Sequence, residues 1–401
     1  MGNSVDKHFD ICIIGGGAAG LVAGIVAARK APSFSVGIIE KMETPGKKVA
    51  AAGNGRCNLS NVKSSEWQKT EAFFSSIGLL TRIDEEGRIY PYSEDGKDVV
   101  GCLLREAFKL GVEIITRRQV TGIEHCVNDD GESEFLIKAV FNKPKAHHAD
   151  ESDRDIVISA KSVLLATGGK SKPKLGTSGD GFALARKMGH SVNRLIPVLT
   201  GVETTEDIKA LELSGVREKC EVSLYKNDEL VFSDQGEIQF TDYGISGIVI
   251  FDMSRFMDLD DSMQFDAYRV EIDFMPEIGY ETVMRMIEER SSDANLLCSW
   301  VKNPIANVII DASNSVESIA DGLKRFTLHP KNLKGWDMAQ VTRGGIPLSE
   351  IEAATGESKM IPGLFFAGEI IDEDFQCGGF NLQHAWITGL RAGESMGGRL
   401  E

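Results

Sequence analysis

The stretch Phe9-Asp10-Ile11-Cys12-Ile13-Ile14 runs directly into Gly15-Gly16-Gly17-Ala18-Ala19-Gly20. Its first part is a short β-branched run; small residues then continue at helical spacing to about Arg29, and Pro32 stops them. Ser35 to Glu40, SVGIIE, reads as a second buried strand. Strand, glycine turn, helix, strand is the opening of a dinucleotide-binding βαβ unit. A glycine triplet alone also arises in structural turns, so this context is what decides the reading. Gly15 permits the tight turn, Gly17 lets a pyrophosphate approach the backbone, and Gly20 lets the helix pack on the strand. The helix N-terminus, with Ala18 and Ala19 in its first turn, faces the phosphates. Glu40 stands where an acid hydrogen-bonds the adenosine ribose and disfavours a 2′-phosphate, which fits FAD or NAD rather than NADP.

Two later segments choose between those dinucleotides. Ser162 to Gly169, SVLLATGG, and Gly363 to Glu369, GLFFAGE, are buried strands ending in glycine. Each brings backbone to the same cofactor, which suits FAD and is superfluous in a simple NAD dehydrogenase. Between the fingerprint and these strands lie a Gly-, Lys- and Asn-rich loop (Thr44 to Asn61) and a helix ending near Gly111. Mostly strands follow from Val112 to Leu165, with a polar hairpin tip expected between FLIKAVF and DIVISA. From about His190 the pattern changes to short alternating strands, with a helical patch near Tyr280 to Arg325. No second GxGxxG opens a strand–turn–helix–strand unit, so NAD(P)H, if used, docks transiently without a domain of its own.

The 401 residues exceed what one core needs and predict two or three domains. Lys and Arg total 44 against 60 Asp and Glu, a net charge of −16, which repels phosphate backbones and anionic lipid. The expected partner is a small-molecule substrate, not nucleic acid or a membrane; oligomeric state is left open. No apolar run approaches the roughly 20 residues of a membrane span. The seven cysteines are scattered, odd in number and without CxxC, which argues against disulfides, zinc and a dithiol centre and for a reducing cytoplasmic setting. No metal site is expected.

The blocks AAGNGRCNLSN (Ala51 to Asn61), GTSGDG (Gly176 to Gly181), AQVTRGGI (Ala339 to Ile346) and GLFFAGEIIDEDFQCGGFNLQHAWITG (Gly363 to Gly389) extend across almost the whole chain. With the fingerprint they resemble the BaiN-like family of bacterial NAD(P)/FAD-dependent oxidoreductases, within the glutathione-reductase-like FAD superfamily. The resemblance implies an α/β fold: a Rossmann-like FAD-binding domain split in sequence (1–190 and 346–401), an inserted β-barrel-like domain (191–275 and 326–345) and a small helical domain (276–325). His384 and Asp242 depart from the family pattern, standing where an aromatic and a histidine are common.

The expected cofactor contacts are Gly15, Gly17, Ala18, Ala19, Gly20, Glu40, Lys41, Lys48, Gly55, Arg56, Cys57, Asn58, Val120, Ala166, Thr167, Gly168, Gly169 and Gly368. By family position, Glu369 and Asp372 hold the ribityl or pyrophosphate region. Gly378, Gly379, Phe380, Asn381 and Leu382 approach the isoalloxazine through their backbone, where the helix dipole favours the negative charge of reduced flavin. Catalytic candidates are Arg56 and Asn58 in the glycine-rich loop, Tyr243 and Arg343 as proton donor or substrate clamp, and His384 as acid or base. Cys57 and Cys377 read as small fillers rather than redox thiols. The activity expected is FAD-dependent hydride transfer via flavin N5 between NAD(P)H and a small organic substrate, with activated C=C bonds among the candidates. An amine-type oxidase using oxygen, a tRNA-modifying flavoprotein and a redox-silent flavin-binding protein are the alternatives.

Overall fold

The computed structural model describes residues 5–127, 133–142, 154–257, 265–290 and 296–400; the expected polar hairpin tip lies outside them. The chain divides into two compact units, Met1–Leu195 with Val341–Glu401, and Ile196–Gln340. The first contains β1 (Lys7–Ile14), α1 (Ala18–Lys30), β2 (Val36–Ile39), α2 (Lys47–Ala51), β3 (Ser60–Asn61), α3 (Trp67–Ser76), β4 (Thr81–Ile83) and β5 (Arg88–Pro91). It continues with α4 (Gly96–Lys109), β6 (Glu113–Ile115), β7 (Arg118–Val127), β8 (Ser133–Phe141), β9 (Ile156–Leu165) and α5 (Asp180–Lys187). The second unit contains β10 (Ile196–Val198), β11 (Val202–Thr204), β12 (Arg217–Lys226), β13 (Glu229–Thr241), β14 (Gly244–Ser246), α6 (Ile248–Ser254) and β15 (Tyr268–Asp273). It ends with α7 (Tyr280–Glu289), α8 (Asn303–Ala312), α9 (Val316–Lys324), β16 (Phe326–Leu328) and β17 (Pro330–Leu333). The first unit then resumes with β18 (Val341–Arg343), β19 (Leu364–Phe366) and α10 (Phe380–Leu400).

In the first unit β1 is a central strand, parallel to β2 on one side and to β9 on the other, with β6 beyond β2. A strand buried on both faces must be apolar on both, hence the unbroken run Ile11 to Ile14. The far edge of β9 is shared. Val163 to Leu165 pair in parallel with β19, while Ile156 to Ala160 pair antiparallel with β8, and β8 with β7. The strands β1, β9 and β19 therefore end together, and their carboxyl ends open into Gly15, Ala166 to Gly169 and Gly368. That edge of a parallel sheet is where ligands bind.

Alternation divides the core. Ile11 and Ile13 pack with Leu21, Ile25, Leu103 and Trp386 on one face; Cys12 and Ile14 pack with Val120, Phe135 and Ile137 on the other. On the first face α1 and α10 lie side by side. A β-carbon on Gly389 would meet the Ala19 carbonyl oxygen at 2.6 Å, one on Gly393 the Ala23 oxygen at 2.6 Å, and one on Gly397 the Ala27 oxygen at 3.4 Å. Both series ascend, so the helices run parallel, joined along a glycine stripe and an alanine stripe.

The second unit is an antiparallel sheet ordered β16-β15-β12-β13-β14-β11-β17. Its two outer strands, β16 and β17, are separated in sequence only by His329. The chain thus steps from one edge of the sheet to the other, which curls it into a barrel-like form. Cys220, Val222 and Leu224 alternate inward on β12 against Val270 and Ile272 of β15. The helical segment set apart by sequence at 276–325 groups with this sheet, because α9 packs on β15 and β16. No helix among the described residues is long and apolar enough to cross a membrane.

Candidate functional site

The three fingerprint glycines are glycines for different reasons. Gly15 has φ +109°, and a β-carbon there would sit 2.4 Å from the Ala166 oxygen. At Gly20 it would sit 1.9 Å from the Gly15 oxygen. Both are demanded by the fold. Gly17 is not: its φ of −86° suits any residue, and nothing lies within 4 Å of the missing β-carbon. It precedes α1 with no side-chain cap, and no acidic residue stands in the first turn of that helix. The first N–H groups of a helix have no intrahelical partner, and its dipole favours anions there. Bare backbone with room in front of it fits the pyrophosphate of a dinucleotide.

Glu40 directly follows β2 and is 8% exposed. One carboxylate oxygen accepts the Gly16 N–H at 2.8 Å and the other the Met42 N–H at 2.7 Å. Burial pushes its pKa up, against the two N–H groups that favour the charged form. Beside it lies a small cleft of about 40 Å³, lined by Gly15, Glu40, Lys41, Val120, Thr167 and Asp180 among others. Val120 and Thr167 thus share the lining of this cleft with Glu40. Lys41 is held by Asp180 at 2.9 Å and Ser178 at 2.7 Å, so its charge is already balanced.

A second helix start without an acidic residue in its first turn lies at α10. Gly378 and Gly379 there have φ of +108° and +101°. The loop leading there is tied down along its length. Asp372 accepts from Asn193 at 2.6 Å, Asp374 from Arg343 at 3.2 Å, and Asn381 brackets Phe375 through its N–H (2.9 Å) and carbonyl (2.8 Å). The helix is pinned to the GRCN loop: Ser60 donates to Gln383 at 2.7 Å, the Trp386 indole to the Leu59 carbonyl at 2.9 Å, and Asn61 to the Gly378 carbonyl at 3.2 Å. Because Gly389 lies opposite Ala19, α10 begins roughly 12 Å ahead of α1 along their shared direction. Two anion-favouring helix starts, offset by that length, suit the two ends of a flavin–pyrophosphate unit.

Several expected contacts take other roles. Glu369 accepts from Ser171 (2.9 Å) and the Thr342 N–H (2.8 Å) with one oxygen and from Lys48 (2.5 Å) with the other. Together they tie α2, the loop after β9, β18 and the loop after β19 to one another. Gly169 is required by that clamp, since a β-carbon would meet Thr342 Oγ1 at 2.4 Å and Glu369 Oε1 at 2.7 Å. Gly379 is likewise crowded, by the Ser60 carbonyl at 2.6 Å and Asn58 Oδ1 at 2.7 Å; Gly378 is the open one, with nothing nearer than 3.7 Å. A β-carbon on Gly368 would meet the Ala19 side chain at 3.1 Å, between α1 and α10, and the Gly368 N–H donates to Thr388.

Among the catalytic candidates, Arg56 is half-exposed and stacks on Tyr90 at 4.8 Å, with Glu94 at 3.8 Å. Arg343 is engaged by Asp374. Tyr243 belongs to the second unit, under the Lys334 ammonium at 4.5 Å. His384 is largely but not fully buried, with Glu373 at 3.6 Å and Phe375 against its ring at 5.3 Å. Burial first, and then Arg391, pushes its pKa down to about 4. That holds the ring neutral at pH 7, where it can accept a proton but carries no imidazolium proton to donate. Cys57 is fully buried and its thiol is pushed up to about 12, so it holds no thiolate. Asp374, Thr342, Ser171 and Gln383 were missed by sequence reasoning, because their partners lie far away along the chain.

The HI0933-like protein Rossmann domain model matches residues 65–395, beginning after the glycine fingerprint. The 3-dehydro-bile acid delta(4,6)-reductase of Clostridium scindens is 31% identical, over 96% of this chain and 98% of that one. The ribosomal RNA dihydrouridine synthase of Haemophilus influenzae is 26% identical, over 96% of this chain and 97% of that one. In fold, the chain is similar to the open conformation of a flavocytochrome c3 fumarate reductase, with a TM-score of 0.51, 14% identity and coverage of 98% and 79%. The fingerprint, the two offset helix starts and these likenesses agree: the chain belongs to the HI0933-like Rossmann family and is a FAD-dependent oxidoreductase.

Proposed function

We propose that the protein reduces an activated carbon–carbon double bond in a small organic substrate, with NAD(P)H as transient reductant. FAD, when bound, supplies the two-electron chemistry. The observation that carries the reading is the pair of parallel helix starts, each without an acidic residue in its first turn. In this reading Gly17 and the first turn of α1 take the pyrophosphate, and Glu40 and Val120 the adenosine end. The backbone from Gly378 to Leu382 takes the ring and stabilises negative charge on its reduced form. The names of both curated relatives describe adding hydrogen to an unsaturated bond, as a delta(4,6)-reductase and a dihydrouridine synthase. No second dinucleotide fingerprint is present in the sequence, which supports a nicotinamide that visits rather than resides. Residues 1–190 and 346–401 act as the FAD domain, with a β-rich insert (191–275 and 326–345) and a helical one (276–325). Free cysteines support a cytoplasmic setting.

The test is anaerobic. NADH or NADPH should bleach the flavin absorbance, and a conjugated enone should restore it with one equivalent consumed per flavin. If neither nicotinamide bleaches it while an amine or hydroxy compound does, the oxidase reading replaces this one. The ribosomal RNA relative favours a second reading, a nucleobase in RNA as acceptor, against the net charge of −16. Reoxidation by a ribosomal RNA fragment but by no enone would establish it.

A further inference from the structure

The His190 side chain is shut off from solvent and meets the Phe366 ring edge-on at 4.7 Å. A buried imidazole needs partners for both nitrogens, and here it has them. Nδ1 lies 2.8 Å from a Glu350 carboxylate oxygen and Nε2 lies 2.9 Å from the Ser358 hydroxyl. That hydroxyl decides which nitrogen carries the hydrogen. Ser358 Oγ already accepts the Met360 N–H at 3.0 Å and the Ile361 N–H at 2.9 Å, which takes both of its lone pairs. It can meet His190 only by donating, so Nε2 is the acceptor and Nδ1–H donates to Glu350. The same carboxylate accepts from the Ser191 N–H at 3.1 Å and from the Ser191 hydroxyl. These bonds join two particular segments, because the chain leaves the first unit after Leu195 and returns to it at Val341. Asn193 N–H donates to the Gly345 carbonyl at 2.8 Å, and a β-carbon on Gly344 would stand 1.9 Å from the Arg194 carbonyl oxygen. Outgoing and returning segments therefore lie against each other.

We propose that Ser358, His190 and Glu350 form an acid-released latch that fastens together the two segments connecting residues 196–340 to the rest of the chain. A proton added to Nε2 turns that nitrogen from acceptor to donor. It then faces a hydroxyl with no lone pair to offer, and the hydroxyl's own hydrogen has lost its acceptor, so one proton removes the bond from both sides. Burial holds the His190 pKa below the ordinary 6.5, against the Glu350 carboxylate that favours the charged ring. Burial would raise Glu350 itself, but hydrogen bonds from Ser191 and His190 outweigh it, so the carboxylate stays charged while the ring titrates. Other charged groups on the surrounding elements are turned elsewhere. Lys359 donates to the Ser349 carbonyl at 3.0 Å, Glu357 is held by Arg399 at 2.6 Å, and Lys187, beside Arg186 in the last turn of α5, donates to the Thr121 carbonyl at 3.2 Å. With the folded pKa lowered, the latch is closed above pH 6.5 and is lost as pH falls from there.

The test reads the ring and the backbone separately. Nuclear magnetic resonance of protein labelled in its histidine rings reports tautomer and titration, with His190→Phe assigning the signal. Native His190 should carry its hydrogen on Nδ1 at pH 7.5, the minority tautomer of a free histidine, and should titrate below 6.5. Hydrogen exchange at the Ser191 and Asn193 N–H groups reports the latch. Their protection, corrected for intrinsic exchange, should fall as pH drops from 6.5 to 5, by up to about tenfold per pH unit because one proton is bound. In His190→Phe the corrected protection should not change with pH. A hydrogen on Nε2 in native protein overturns the proposal, as does native protection that is flat across this range or a fall that persists in His190→Phe. Should His190→Phe fail to fold, Glu350→Gln removes the charge that favours the imidazolium and should move the fall to lower pH; a fall at unchanged pH overturns it.

Discussion

Gly17→Val and Gly20→Ala should fail in opposite ways. At position 17 the backbone is ordinary and the space beyond Cα is open to 4 Å, so the added side chain strains nothing in the free protein. Its cost in stability should stay within about 1 kcal/mol, in the range of surface and cap changes. The same side chain occupies the ground over which a pyrophosphate reaches the first N–H groups of α1. Each hydrogen bond to a charged oxygen contributes about 1.5–3 kcal/mol, so losing two weakens FAD by about 3–6 kcal/mol, or roughly 10²- to 10⁴-fold. At position 20 the β-carbon would stand 1.9 Å from the Gly15 carbonyl oxygen. That is backbone against backbone, and neither side has a rotamer to yield. Gly20→Ala should lose more than about 4 kcal/mol of folding stability. Thermal unfolding of the free proteins and fluorescence titration with FAD measure both quantities. Gly17→Val binding FAD like the parent would show that the pyrophosphate lies elsewhere, and an unaltered melting temperature for Gly20→Ala would refute the packing of α1 on its turn.

Three further outcomes follow from particular side chains. The folded state holds His384 neutral with a pKa near 4, below the ordinary 6.5, so its contribution is present above pH 6.5 and lost as pH falls toward 4. Native protein should lose about 3 kcal/mol more than His384→Phe over that range in urea unfolding; parallel curves would refute this. Cys57, buried with its thiol near 12, should remain unalkylated by iodoacetamide at pH 8 in native protein, by mass spectrometry; rapid labelling would show that the loop opens. Gly393→Ala drives a methyl to 2.6 Å from the Ala23 carbonyl oxygen and should cost about 1–3 kcal/mol, whereas Gly101→Ala, with open surroundings, should gain about 0.5–1 kcal/mol. Equal midpoints for these two alanine variants would contradict the parallel pairing of α1 and α10.

What the sequence by itself determined is local or periodic. The run Phe9 to Ile14, the glycines after it and Glu40 need only short-range spacing, and they specify strand, turn, helix and strand wherever the rest of the chain goes. Glycine-ended apolar runs likewise identified β9 and β19, and the change of pattern near His190 falls close to the division at Leu195. Tertiary structure decided which of the polar residues remain available to a ligand. Glu369 looks like a contact in sequence, but Lys48, Ser171 and Thr342 arrive from three distant segments and take its carboxylate. Gly379 looks like a place for close cofactor approach, yet it is crowded by Asn58 and Ser60, while Gly378 beside it is open. The availability of a hydrogen-bonding group depends on every neighbour that folding brings within about 3 Å, and those neighbours have no fixed separation along the chain. Asn58 was legible in sequence as a candidate, but that its side-chain oxygen goes unmet shows only once α10, more than three hundred residues later, packs against it.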